Sequence, residues 1–150
     1  MSPKKYNPAG QSDIELLSRP AKIKLYTCEF FPTFGGIATY CHELAQAGSR
    51  AGATTTVYAP RNATPPSGNT SDYALQAGHW SANHNPAAIW NVRQRLAIEL
   101  NSSASCEHLL AEPGPILALG SLPKKMISKA RITLVLHGSE ILRWHRKYLS

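Results

Sequence analysis

Acidic side chains are scarce in this chain: nine Asp and Glu stand against sixteen Lys and Arg in 150 residues, a net charge of +7. That imbalance excludes no fold, but it suits an anionic partner, whether nucleic acid, an acidic membrane or a phosphorylated ligand. Cysteine is scarce too. Cys28, Cys41 and Cys106 are an odd number at wide spacing, which argues against a disulfide framework and for free thiols in a reducing compartment. Cys28 lies in a strand-like run and Cys41 on the apolar face of a helix-like one, where both read as small buried hydrophobes. Long hydrophobic runs are missing: no stretch approaches the length of a membrane-spanning helix. The basic start of the chain has no apolar segment behind it, so it reads as neither a secretory signal nor an anchor. The expectation is a cytoplasmic protein, in which the Asn-x-Ser/Thr triplets at Asn62, Asn69 and Asn101 carry no weight. Metal-ligand spacing of Cys and His is also missing. His42-Glu43-Leu44-Ala45-Gln46 approaches the zinc-protease helix, but Gln46 stands where the second His belongs, so no metal site is expected.

What is present is the composition and length of about one domain, with 43% hydrophobic residues to build a core. Residues 1–21, rich in Pro, Ser, Lys and Asn, read as a loose tail. Residues 22–150 alternate strand-like and helix-like patterns. Residues 23–31 form an apolar and aromatic strand, ended by Pro32 and a turn at Thr33-Phe34-Gly35-Gly36. Ile37, Tyr40, Cys41, Leu44, Ala45 and Gly48 then mark one face of a helix, with the stop at residues 48–52. Residues 53–59 are a β-branched second strand, and residues 73–77 a weak third. Asn85-Pro86 caps a helix that reaches about Asn101. Residues 107–111 form a short strand, broken by Pro113-Gly114-Pro115, and a helix runs from there towards Lys129. Residues 132–136 are an unbroken apolar strand. A turn at His137-Gly138-Ser139 leads to a last helix containing Ile141, Leu142, His145, Tyr148 and Leu149. This alternation predicts an α/β fold with a Rossmann-like, doubly wound parallel sheet.

In such a sheet ligands bind beyond the carboxyl ends of the strands, where strand order reverses. Three turns belong to that rim: Phe34-Gly35-Gly36, Glu112-Pro113-Gly114 and His137-Gly138-Ser139. Gly35 and Gly36 open a helix, where bare backbone and exposed amides favour a phosphate oxygen; a tight turn that binds nothing explains them equally well. His137 ends an apolar strand before another helix start made by Gly138, Ser139 and Glu140, a place from which it can donate to a ligand oxygen. Its alternative is a histidine bonded to a neighbouring loop. Glu112 has a similar but weaker claim. A dinucleotide site fits less well: the Gly-x-Gly-x-x-Gly spacing is absent, and the second strand ends at Ala59-Pro60-Arg61 without an acid for a ribose hydroxyl. Arg61 could meet a phosphate instead, which keeps NADP as an alternative. Arg143-Trp144-His145-Arg146-Lys147-Tyr148 mixes base and aromatic and suits an anionic membrane surface, although a solvated helix face is the more frequent case. No motif for nucleic acid is present.

Glu29-Phe30-Phe31-Pro32-Thr33-Phe34-Gly35-Gly36-Ile37-Ala38-Thr39-Tyr40 resembles the opening loop of family-4 glycosyltransferases, where a Pro-containing turn leads to Gly-Gly and a helix. Leu136-His137-Gly138-Ser139-Glu140 resembles a later His-Gly-Ser-Glu segment of the same enzymes. The resemblance covers residues 22–150 and is weakest over residues 61–85. It implies the N-terminal domain, itself incomplete, of a two-domain GT-B enzyme that transfers a sugar with retention from a nucleotide-sugar donor to a glycan, lipid or small-molecule acceptor. It implies that Gly35 and Gly36, with Gly138 and Ser139, approach the donor diphosphate and that His137 lies near the transferred sugar. It implies less for Thr39, Glu112 and Glu140, which become rim and acceptor candidates. No cofactor or metal is expected. The family's C-terminal domain, with its Glu-x7-Glu pair and diphosphate-gripping cations, has no counterpart in these 150 residues, so the chain alone is expected to be inactive. A non-catalytic Rossmann-like remnant that binds a partner without turnover is the competing reading. The expected location is the cytoplasm, with peripheral contact at the inner membrane face as an extension of the basic-aromatic stretch.

Overall fold

Short strands separated by helices build a five-stranded parallel sheet with helices packed on both faces. The computed structural model describes residues 21–33, 35–66, 72–82, 85–102 and 105–136. The elements are β1 (Lys22–Tyr26), α1 (Gly36–Arg50), β2 (Thr54–Ala59), β3 (Ala74–Ala77), α2 (Pro86–Ser102), β4 (Cys106–Leu110), α3 (Pro113–Gly120), α4 (Lys124–Ile127) and β5 (Arg131–Leu134). The five strands are all parallel, in the order β3-β2-β1-β4-β5. The chain therefore steps outward from β1 to β3, then crosses through α2 to the other side of β1. Strand order reverses between β1 and β4, the arrangement of a doubly wound, Rossmann-like α/β sheet. The last expected helix lies outside the described residues. Among those described, no helix is long and apolar enough to cross a membrane.

Period-two alternation along β1 and β2 divides the core in two. Leu25, Val57 and Ala59 face α1, whose buried positions Ala38, Cys41, His42, Ala45 and Gln46 recur at helical spacing. The helix passes through Gly48 and ends at Arg50, within the expected stop at residues 48–52. A Cβ there would come within 3.0 Å of Thr55 Oγ1 and 3.1 Å of Ile23 Cδ1, so this glycine lets helix and sheet approach closely. The chain then turns at Gly52, whose φ of 88° lies in the left-handed region.

On the other face, Tyr26, Tyr58 and Leu110 meet Val92 and Leu96 of α2 and Ala118 of α3. Asn85 caps α2 as its type predicts, its Oδ1 accepting from the Ala88 N–H at 2.7 Å. The single helix expected after residue 115 is two: α3 starts at Pro113 itself, where proline is tolerated in a first turn, and Pro123 separates it from α4. β5 ends the sheet among the described residues, with Leu134 and Leu136 exposed.

This second core is unusually polar. Tyr58, Tyr26 and His108 stack in a row, with ring centroids 5.0 Å and 5.9 Å apart. The Tyr26 hydroxyl lies 3.0 Å from His108 Nδ1, and His108 Nε2 has no partner although the residue is fully buried. Lys24 Nζ bonds Glu99 Oε2 at 2.6 Å, with side chains only 14% and 11% exposed. Arg95 reaches Glu99 Oε1 at 3.3 Å and lies over the Tyr58 ring. Burial, helped by the Lys24 charge and opposed by Glu99 and Glu107, holds His108 below the ordinary histidine range. Burial works against the charge on Glu99, but hydrogen bonds from Lys24 and Tyr58 and the charges of Lys24 and Arg95 outweigh it, so its pKa falls.

These directions fix the sign of the acid response. Unfolded His108 takes a proton near pH ~6.5 where the folded residue refuses it, so stability falls as pH drops below that value. The contribution of Glu99 is intact above the ordinary carboxylate pKa of about 4.3 and is lost only at more acid pH. Urea unfolding should thus show declining stability from pH 7 to 5, and His108→Gln should flatten that decline; an unchanged slope would refute the assignment to His108. At neutral pH, Lys24→Met leaves buried Glu99 with only Tyr58 and the partly exposed Arg95 and should lower unfolding free energy by about 3 kcal/mol.

Candidate functional site

The rim of interest lies at the carboxyl ends of β1 and β4. The apolar run predicts a strand reaching Phe31, yet β1 ends at Tyr26. Thr27 keeps one sheet-like bond, its N–H donating to Tyr58 O at 3.1 Å. Beyond it the backbone turns to a side chain from across the reversal. Glu112 Oε1 accepts from the Cys28 N–H, from the Glu29 N–H at 2.9 Å and from the Thr27 hydroxyl at 2.6 Å. The Thr27 hydroxyl has a second acceptor, Glu29 O at 2.7 Å, and one proton to give.

Trp80 closes the same region from the far side of β2. Its Nε1 donates to Thr27 O at 3.1 Å, and its carbonyl accepts from the Arg61 N–H at 2.8 Å. The ring is 2% exposed and lies where a Cβ on Gly78 would have to go. The Thr64 N–H donates to Phe31 O at 2.9 Å, tying the connection after β2 to the one after β1. The Phe31-Pro32 peptide in that connection is cis.

α1 begins where this connection ends. Gly35 is its N-cap with φ −177° and ψ 165°, an extended conformation open to any residue. A Cβ on Gly36 would meet nothing within 4 Å, and one on Gly35 only Glu29 Oε2 at 3.7 Å. Neither backbone strain nor crowding by the chain demands glycine at these positions. Both residues are exposed, the N-cap supplies no side-chain hydrogen bond, and no acidic residue lies in the first turn. The first amides of a helix lack intrahelical partners, so this end is partly positive, with Glu29 Oε2 facing Gly35. Thr39 is exposed beside it, but its hydroxyl turns back to Gly35 O at 3.2 Å. α3 is likewise uncapped by its N-cap residue: Glu112 has φ −169°, and its carboxylate serves the β1 connection instead of its own helix.

Of the residues that the sequence singles out, Gly35, Gly36, Thr39 and Glu112 come together at this rim. Gly35 and Gly36 are open to solvent, whereas Glu112 is fully buried. His137, Gly138, Ser139 and Glu140 lie outside the described residues. The chain nonetheless leaves β5 at the same rim, with the Val135 N–H donating to Leu110 O at 2.9 Å. Cys28 and Cys41 are fully buried. Burial first, then the Glu112 and Glu29 carboxylates, pushes the Cys28 thiol well above its ordinary range. Burial raises Cys41 to about 12 despite a hydrogen bond with Thr27. Thiols held protonated in this way are poor nucleophiles. His42 is occupied by Tyr73, its Nδ1 lying 2.8 Å from the hydroxyl. Among the described residues no group of three or more His, Cys, Asp or Glu could hold a metal ion.

Sequence reasoning missed Thr27 and Trp80. A lone polar residue inside an apolar run and a lone Trp in a Gly/Ser/Asn-rich loop are the signals that could have found them. No model of a known protein family matches this chain, and no curated protein matches it.

The two kinds of glycine should respond oppositely to a methyl group. Gly78→Ala drives a Cβ into the Trp80 ring and should cost about 1–3 kcal/mol of stability. Gly36→Ala meets open space and should change it by less than about 0.5 kcal/mol. Chemical denaturation of the two variants checks the contrast, and equal losses would refute it.

Proposed function

We propose that this domain is the N-terminal, acceptor-side part of a retaining GT-B glycosyltransferase of the family-4 kind, with a nucleotide-sugar as donor. One observation carries the reading: Gly35 and Gly36 open an uncapped helix at the reversal of the sheet, although nothing in the chain's own geometry calls for glycine there. Bare backbone at such a place suits the close approach of a phosphate. The resemblance of residues 29–40 and 136–140 to the opening loop and His-Gly-Ser-Glu segment of that family supports the same reading.

In this reading the amides at the start of α1 face the donor diphosphate and stabilise the negative charge that grows on the leaving group. His137 stands beside the transferred sugar, with Gly138 and Ser139 helping to hold the donor; these roles rest on the motif. Thr39 and Glu140 border the acceptor. A helix N-terminus at an exposed site contributes about 0.3–1 kcal/mol towards an anion, less than a factor of ten in affinity. This rim therefore serves as one wall of a cleft, and tight donor binding draws on cations from a second domain.

Titration of the 150-residue chain with UDP, GDP and ADP, followed by amide NMR, should shift Gly35, Gly36 and Ile37 with weak affinity. A bulky Gly36→Val should abolish the response while leaving the fold intact. Tight binding of NADP without any response to nucleoside diphosphates would overturn the proposal in favour of an oxidoreductase domain.

A further inference from the structure

The inner crevice between β1 and β4 is where a sheet of this order offers backbone amides to a ligand phosphate. Here those donors are taken. The Cys28 and Glu29 N–H groups and the Thr27 hydroxyl converge on one oxygen of Glu112, a residue with no solvent exposure. Consecutive backbone amides aimed at one point, joined by a hydroxyl, are the donor set that proteins use for anions. Glu112 reaches this set from the N-cap of α3, without giving its own helix a side-chain cap. Glu29 adds a second carboxylate nearby, its Oε2 facing Gly35.

We propose that residues 27–29 form an anion cradle that Glu112 keeps permanently filled, making Glu112 a positioning residue and a specificity determinant. The internal carboxylate sets the β1–α1 connection without ligand. It also closes the inner crevice to phosphate, because two anions cannot share one donor set and would repel each other. A phosphate is left the outer station at Gly35 and Gly36, and a pyrophosphate seated across the reversal, as in a dinucleotide-binding domain, is shut out.

Removing the carboxylate should therefore unmask an anion site. In Glu112→Ala, the Cys28 and Glu29 amides should exchange with solvent about tenfold faster or more, as the loss of charge-assisted bonds implies. Formate, and then inorganic phosphate, should restore protection and thermal stability saturably, beyond the effect of chloride at equal ionic strength. The wild-type chain should show no response at these two amides to either anion. If Glu112→Ala does not fold, Glu112→Gln keeps the shape without the charge; its two amides should exchange faster, and formate should not restore them. A folded Ala variant that ignores formate, a Gln variant identical to wild type at both amides, or wild-type amides that respond to phosphate would each overturn the proposal. The readout is the cradle itself and not sugar transfer or nucleotide binding, so its outcome is separable from that of the glycosyltransferase reading.

Discussion

The bond system around Glu112 is what the rim depends on. Two connections that leave adjacent parallel strands have no reason of their own to stay in register, since each is bonded to its strand only at its start. One carboxylate oxygen shared by Thr27, Cys28 and Glu29 joins the β1 and β4 connections across the reversal. Trp80 adds the third connection by donating to Thr27 O. Thr27 is the junction: its amide serves β2, its hydroxyl serves Glu112 and its carbonyl serves Trp80. The exposed start of α1 is thus carried on a buried and fully bonded base, which is how a site on loops acquires a defined geometry.

The polar row on the opposite side of the same strands plays a different part. Lys24, Glu99, Arg95 and the stacked Tyr58, Tyr26 and His108 lie beneath α2, whose sequence shows only a modest apolar stripe. Charged pairs with so little exposure add little net stability compared with apolar residues, but they punish mispairing strongly. Their effect here is to fix which turn of α2 lies against which residue of β1, since only one register brings Glu99 to Lys24.

Much of the fold was legible in the residues. Apolar and β-branched runs located the strands among the described residues, and Asn85 marked the start of α2 by cap chemistry that needs no tertiary partner. β1 is the clearest miss: it stops at Tyr26, short of Phe31, where the next amides are claimed by Glu112, 84 residues further along. That outcome depends on a contact that no local window contains. The site was legible in part for the same reason: Gly35 and Gly36 could be noticed as a bare helix start, whereas Glu112 was legible as a rim residue but not as a buried one. That difference depends on what lies opposite a side chain, which spacing does not encode.

The close approach at Gly48 bears on the rim from the far end of α1. Gly36 and Gly48 are separated by twelve helical residues, about 18 Å along the axis. The helix is seated against Thr55 and Ile23 at one end and presents its bare amides at the other. A side chain added at Gly48 would press on Thr55 and Ile23, so the seat of the helix that carries the rim amides is set from a position twelve residues behind them.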